Sequence, residues 1–391
     1  MEKIAFVCQR YGEEVNGGAV LYCRQVAEHL AGHYEVDVYT TCAVDYITWN
    51  NEYPAGESTL NGVHIRRWPV QFPRQRIIQG ICGRWIRYSP VHSSAVERRW
   101  IRAQGPVCDA ALDALWEHQG EYRAIFFMTY LYYLTAMGVP RGFRNALLIP
   151  TLHDEWPAYL RHYDRVFRGA KGIVWNSREE LEFAEKRFPG IGTVPGVITG
   201  IGIEVPEELK VPDRIRDMQD PYVVYVGRVD ESKGCGEMFR YFEEYKKRCP
   251  GPLKLVLIGK VNMPVPQRED ILSLGFVSEQ EKFGVMQKAR GLVLCSRFES
   301  LSMVVLESML LGRPVLVNGA CEVLRGHVTR SGAGIAYDSP EAFARGLEAL
   351  QTEDEAYRGM AEKGQRYVQE NYRWDVIEDK YLRFIETTCG R

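Results

Sequence analysis

The sequence predicts an α/β protein made of two Rossmann-like domains, each a mostly parallel sheet covered by helices. Three observations lead there. Short apolar runs with strand character alternate with segments of helical periodicity along most of the chain. The alternation stops at a glycine- and proline-rich passage, PGIGTVPGVITGIGIEVPEE (Pro189 to Glu208), and then restarts with the same grammar. Finally, 391 residues exceed what one compact core supports, so two domains are expected, over 1–205 and 206–371, with a helical tail from Tyr372.

In the first half KIAFVCQ reads as a strand and AVLYCRQVAEHLAGH as a helix ending near Gly32. YEVDVYTT and VHIRRWPV follow as strands. AIFFM, NALLIPTLH and GIVWNS are further short strands, the last running into the helical REELEFAEKRF. The second half begins with the strand YVVYVGR, a helix through MFRYFEEYKKR, and the strand LKLVLIG. LGFV, the helix EQEKFGVMQKA and the strand GLVLCS come next, then SRFESLSMVVLESMLLGRPVLV, whose helix starts near Ser302 and stops before Gly312. AFARGLEALQ adds another helix before the tail. Two such units are expected to face each other across a cleft, with ligands at the carboxyl ends of the strands.

Composition narrows the function class. The chain is 46% hydrophobic and 26% charged with a formal net charge of -2, which argues against a general nucleic-acid binder. Ten cysteines lie scattered without a Cys-x-x-Cys pair, the pattern of buried free thiols in a reducing compartment. MEKIAFVCQR reads as a strand rather than a signal peptide. The longest apolar stretch, IFFMTYLYYLTAMG, falls short of the ~20 residues a membrane span needs and reads as a strand entering a helix. A cytoplasmic protein is expected, with peripheral membrane contact left open.

The candidate site residues all follow strands. Glu299 lies in the loop after GLVLCS, and Glu307 sits one turn or more inside the next helix. Backbone N–H groups of Ser300, Leu301 and Ser302 are expected at that helix mouth, where an anion binds well. A carboxylate such as Glu307 can accept two hydrogen bonds from a vicinal diol, although alone Glu299 also fits dipole complementation and Glu307 a solvated face. In YVVYVGRVDESKGCGEMF, Gly227 ends a strand, and Arg228 and Lys233 offer a planar fork and a point charge for a diphosphate. Gly17-Gly18 separate the first strand from its helix, where glycine permits close ligand approach, but no G-x-G-x-x-G is present. TLHDEWP puts His153 at a strand's carboxyl end, suited to a hydroxyl or a proton. No Asp-x-Asp and no His/Cys cluster with metal spacing occurs, so no obligatory metal is expected and the two cations carry the diphosphate charge.

Taken in order, Gly-Gly, His-Asp, Gly-Arg…Lys-Gly, the E-x7-E of Glu299 to Glu307, LLGRPVLVNG and the tail QENYRWDVIEDKYLRFI resemble the retaining family-4 glycosyltransferases of GT-B architecture (glycosyl transferases group 1). The resemblance covers nearly the whole chain. It implies that the tail, 372–391, crosses back as a helix onto the first, acceptor-side domain. It also implies that Arg228 and Lys233 bind the nucleotide diphosphate, Glu307 the ribose, and Glu299 the donor sugar near its C3 and C4 hydroxyls. Ser300, Leu301 and Ser302 would offer N–H groups to sugar and phosphate, His153 would stand by the donor sugar, and Gly17 and Gly18 would shape the pocket. The chain departs from the pattern where Ser300-Leu301-Ser302 replaces glycines flanking an aromatic residue, and where Val20 replaces an acidic residue.

The implied reaction moves a sugar from a nucleotide-diphosphate donor to an acceptor hydroxyl with retention, as a hexosyltransferase in bacterial glycan, polysaccharide or glycoconjugate synthesis. No carboxylate is well placed for a double displacement, and a same-face route resting on electrostatic preorganisation fits the cationic pair better. A sugar-nucleotide epimerase and a non-catalytic donor-binding subunit are the competing readings. Base recognition is expected from the backbone around Phe276 and Val277. The acceptor is a glycan, a lipid-linked or a small molecule. The segment 71–102 holds seven arginines and one acidic residue, interleaved with Trp85, Tyr88 and Trp100. It reads either as a contact with anionic lipid headgroups or as solvated arginines on helices whose aromatics pack inward.

Overall fold

Runs such as KIAFV and YRAIFFM carry no polar face, and the computed structural model places them side by side in the middle of a parallel sheet. It describes residues 1–15, 17–89 and 91–390. The chain divides into two units: Met1–Ile201 joined by the chain from Ile377 onward, and Gly202–Val376.

In the first unit the chain forms β1 (Lys3–Val7), α1 (Gly18–Leu30), β2 (Glu35–Thr41), β3 (Gly56–Leu60) and β4 (Val63–Trp68). The helices α2 (Arg76–Tyr88), α3 (Ser94–Gln104) and α4 (Asp109–His118) follow, then β5 (Tyr122–Met128), α5 (Tyr133–Gly138) and β6 (Ala146–Ile149). The unit continues through α6 (Arg161–Gly169), β7 (Gly172–Trp175), α7 (Arg178–Arg187) and β8 (Gly196–Ile198). The sheet order is β3-β4-β2-β1-β5-β6-β7-β8. Every pair is parallel except β3–β4, a hairpin closed by Asn61 and Gly62, both at positive φ (48° and 81°) as a two-residue turn requires. The hairpin's outer strand, GESTL, has no apolar face, and the periodicity of the sequence does not mark it.

The second unit contains α8 (Asp213–Arg216), β9 (Tyr222–Val226), α9 (Cys235–Arg248), β10 (Lys254–Ile258), β11 (Ile271–Gly275) and α10 (Glu279–Lys288). After these come β12 (Leu292–Leu294), α11 (Met303–Leu310), β13 (Val315–Asn318), α12 (Glu322–Ser331) and β14 (Gly334–Tyr337). Helices α13 (Pro340–Gln351), α14 (Glu355–Asn371) and α15 (Trp374–Cys389) complete the chain of elements. Its six strands are all parallel, in the order β11-β10-β9-β12-β13-β14. β9 starts the sheet in the middle, the next two strands are laid on one side and the following three on the other. The order therefore reverses between β9 and β12, and such a reversal opens a crevice at the carboxyl ends of the strands.

From Ile377 onward α15 belongs to the first unit. Ile377, Tyr381, Phe384 and Ile385 are its buried face. Tyr381 and Tyr22 share a hydroxyl–hydroxyl hydrogen bond of 2.7 Å, and Lys380 Nζ donates to Thr199 O at 3.3 Å. Phe384 closes over Gly172 so tightly that a Cβ there would lie 2.8 Å from its ring and 2.9 Å from Thr388 Cγ2. Eight of the ten cysteines are buried, and all ten are free thiols. Gly172→Ala is expected to destabilise the protein by about 1–3 kcal/mol through overpacking under α15, read as a lowered Tm; an unchanged Tm would show that α15 docks loosely.

Candidate functional site

The reversal in the second sheet gathers two loops that are remote in sequence. After β9, Gly227 turns out of the strand at φ 150°, and Gly259, after β10, approaches so closely that a Cβ on it would lie 2.1 Å from Gly227 O. Arg228 follows, its backbone carbonyl accepting from Tyr225 OH at 2.8 Å and its guanidinium 3.3 Å from Asp230. Asp230 caps the short turn Glu231–Lys233 by accepting from Lys233 N at 3.1 Å. Gly234 then adopts φ 75°, and a Cβ there would strike Cys295 O at 2.3 Å, so only glycine lets this loop settle against the end of β12.

That contact sets Lys233 beside the second loop. Lys233 Nζ donates to Glu299 Oε1 at 2.7 Å, with both side chains mostly shielded. Glu299 leads through Ser300 and Leu301 to Ser302, which sits at φ 65° as the residue before α11. A serine in the left-handed region is strained, and its hydroxyl makes no capping bond. Val305 N donates to Ser302 O at 3.1 Å and closes the first turn. His327 Nε2 holds Leu301 O at 2.7 Å, which fixes the loop from beneath. Buried Ser296 Oγ and Ser302 Oγ have no hydrogen-bond partner among the described residues. Buried polar atoms of this kind are costly unless something else meets them.

Glu307 is buried rather than on a solvated face. Its partner is Lys282 on α10, also buried, whose Nζ lies 3.0 Å from each carboxylate oxygen and 2.7 Å from Glu279. The ammonium donates to Oε1, while Oε2 is within ion-pair reach but accepts no hydrogen bond. Burial pushes the Glu307 carboxyl above its ordinary range, and the Lys282 charge offsets this only in part. Burial works against the Lys282 ammonium, but Glu307 and Glu279 more than compensate and hold it charged. Sequence reasoning missed Lys282, because a lysine in an amphipathic helix reads as solvated. Phe276 and Val277 follow β11 on the same edge of the sheet, with Phe276 exposed.

The remaining sequence-predicted residues lie in the first unit, after β1 and β6. Gly17 has φ 131° and ψ 141°, a region reserved for glycine, and precedes α1. Gly18 has open space where a Cβ would project. Arg10, also missed in the sequence, is buried beside Gly17 and donates to Val44 O at 2.6 Å; burial depresses its pKa. His153 Nε2 stands 3.7 Å from Glu155 Oε1, which accepts from Tyr130 OH at 2.6 Å. The loop carrying His153 is clamped by Glu180, which accepts from Leu152 N and Asn176 N at 2.5 Å each. Burial raises the Glu180 carboxyl to about 8, with those N–H groups pulling the other way. Among the described residues no three His, Cys, Asp or Glu side chains are grouped to hold a metal ion.

Two predictions follow the buried carboxylates. Lys282→Ala leaves Glu307 without its cation and is expected to cost about 3–5 kcal/mol by denaturant titration; a loss under about 1 kcal/mol would mean the pair is solvated. Glu180 keeps its proton in the folded state up to about 8, whereas the unfolded side chain loses it near 4.5. Its contribution is therefore fully present at lower pH and is lost as pH rises across that window. Glu180→Gln should flatten the dependence of stability on pH in the same window, and an unchanged slope would refute the assignment.

Residues 220–353 match the family Glycosyl transferases group 1. Over 167 residues the chain is 25% identical to an uncharacterized glycosyltransferase of Methanocaldococcus jannaschii, a match covering 40% of this chain and 42% of that protein. Sucrose-phosphate synthase from Thermosynechococcus elongatus superposes over 99% of both chains with a TM-score of 0.71 at 17% identity. A trehalose-6-phosphate structure from E. coli, bound with UDP-2-fluoro glucose, gives a TM-score of 0.74 over 98% of this chain and 99% of that one, at 11% identity. Residues 220–353 are therefore a glycosyl transferases group 1 region, and the chain as a whole has the GT-B fold.

Proposed function

We propose that this chain is a retaining glycosyltransferase of family 4, moving a sugar from a nucleotide-diphosphate donor to an acceptor hydroxyl in glycan, polysaccharide or glycoconjugate synthesis. The observation that carries this reading is the cluster at the strand-order reversal. There the Lys233–Glu299 pair ties the loop that carries Arg228 to the loop before α11, where Ser296 and Ser302 are buried and under-satisfied, and Glu307 lies one turn inside that helix. Arg228 and Lys233 take the diphosphate oxygens, the fork and the point charge together supplying what a metal ion supplies elsewhere. Glu307, beside the Lys282 ammonium, accepts from the ribose hydroxyls through Oε2, which has no hydrogen-bond partner among the described residues, and the Ser300–Ser302 backbone receives phosphate and sugar oxygens. Phe276 and Val277 flank the base. The UDP sugar in the E. coli neighbour makes a uridine donor the first to try.

Glu299 is committed to Lys233 at 2.7 Å, so it serves better to grip sugar hydroxyls than as a nucleophile. That supports departure and attack on the same face of the anomeric carbon. The diphosphate then takes the acceptor proton, and Arg228 and Lys233 stabilise the charge that develops on the leaving oxygen.

A thermal-shift screen against UDP, GDP, ADP, CDP and dTDP sugars, followed by NMR of the product anomer, tests the proposal directly. Glu307→Ala is expected to weaken nucleotide binding by about tenfold or more, as loss of a charge-assisted hydrogen bond should. Arg228→Ala should chiefly lower kcat, by about a hundredfold. Unchanged constants in both variants, or an inverted anomer, would overturn the reading.

A further inference from the structure

The segment 71–102 does not bury all of its aromatics. Trp100 on α3 turns inward against Trp156, with ring centroids 4.8 Å apart, and packs over Gly83 of α2. On α2 Cys82, Gly83 and Ile86 are buried, and Ile78 packs against the same core. Ile77, Ile81, Trp85 and Tyr88, at helical spacing, form an outward stripe with 80%, 61%, 55% and 80% of their surface exposed. Four large apolar side chains in one row are an expense a water-facing helix does not ordinarily carry.

The charge around the stripe has one sign. Arg76, Arg84, Arg87, Arg98 and Arg99 are exposed on α2 and α3, and among the described residues none has a carboxylate within ion-pair distance. Among the described residues Arg87 and Arg98 hydrogen-bond only to their own helices, to Gly83 O and Ser94 Oγ, and the Arg87 guanidinium also lies 5.4 Å from the Trp156 ring centroid. The single acidic residue of the segment, Glu97, is withdrawn from this face. It is fully buried and accepts from His92 Nε2 at 2.9 Å and from the N–H groups of Arg161 and His162 at the start of α6.

We propose that the α2–α3 face is a docking surface for an anionic phospholipid bilayer. The stripe enters the boundary between headgroups and acyl chains while the arginines meet lipid phosphates. Trp85 and Tyr88 have the amphipathic rings that favour that depth. No helix among the described residues is long and apolar enough to cross a membrane, so the contact is with one leaflet. A second copy of the chain would cover the same stripe, but a twofold contact sets these arginines against their own images. The inference stands on the helix face and does not depend on the sugar-transfer reading.

The test is co-sedimentation of the full chain with vesicles of phosphatidylcholine alone or with roughly one-third phosphatidylglycerol. Binding is expected only to the anionic vesicles, with release at about 1 M salt, where the screening length falls to about 3 Å. Two variants, Trp85→Ser with Tyr88→Ser, and Arg84, Arg87, Arg98 and Arg99 all changed to Ala, should each lower partitioning by on the order of a hundredfold at unchanged Tm. Equal sedimentation with neutral vesicles, none with either, or wild-type partitioning by both variants overturns the proposal. So does self-association in sedimentation velocity that Ile81→Asp abolishes, since that assigns the stripe to a second copy.

Discussion

Parallel strands cannot be joined by tight turns, and that single constraint arranges the rest of the second unit. Each strand must be left through a loop at one edge and re-entered through a crossover at the other. All post-strand loops therefore share an edge, and the reversal beside β9 leaves a gap between crossovers. Residues 66 positions apart, Lys233 and Glu299, become partners because both loops open at that gap. Gly234 and Gly259 do the fine fitting, each removing a Cβ that would hold neighbouring loops apart. The chemistry of the cluster is thus a consequence of sheet order first and of side chains second.

The alternation of apolar runs and helical periods made both sheets legible, and the types of residue after each strand were visible as well. What escaped the sequence is informative. GESTL is an edge strand with polar and exposed side chains, so its only trace was the Asn61-Gly62 turn that follows. Helix α12, strand β14 and helix α14 escaped because the two helices mix charged and apolar side chains and GIAY is only four residues long. Lys282 was illegible for a physical reason: whether a helical lysine is solvated or buried depends on what packs over it. The same holds for Trp85 and Trp100, which have similar sequence surroundings and opposite fates.

Three buried glutamic side chains show three ways of meeting the cost of a buried carboxyl group. Glu97 is satisfied by the N–H groups that open a helix, Glu180 by backbone N–H groups of two loops, and Glu307 by an ammonium. The first two tie elements together and leave little chemistry to spare. The third is incompletely satisfied: the Lys282 ammonium donates to Oε1 and to Glu279, and Oε2 accepts no hydrogen bond among the described residues. A buried polar group kept short of partners is poorly suited to a structural role and well suited to receiving something from outside.

Helix α15 completes the first unit yet is encoded after the whole of the second. During synthesis, Gly172, Phe126 and Tyr22 must therefore wait, uncovered, while roughly half of the protein is still being translated. The early lobe cannot finish folding on its own schedule, and the later lobe matures as an insertion between its pieces. Nascent chains of this design present an apolar patch for as long as elongation lasts, which makes translation speed and holding factors part of how the fold is reached.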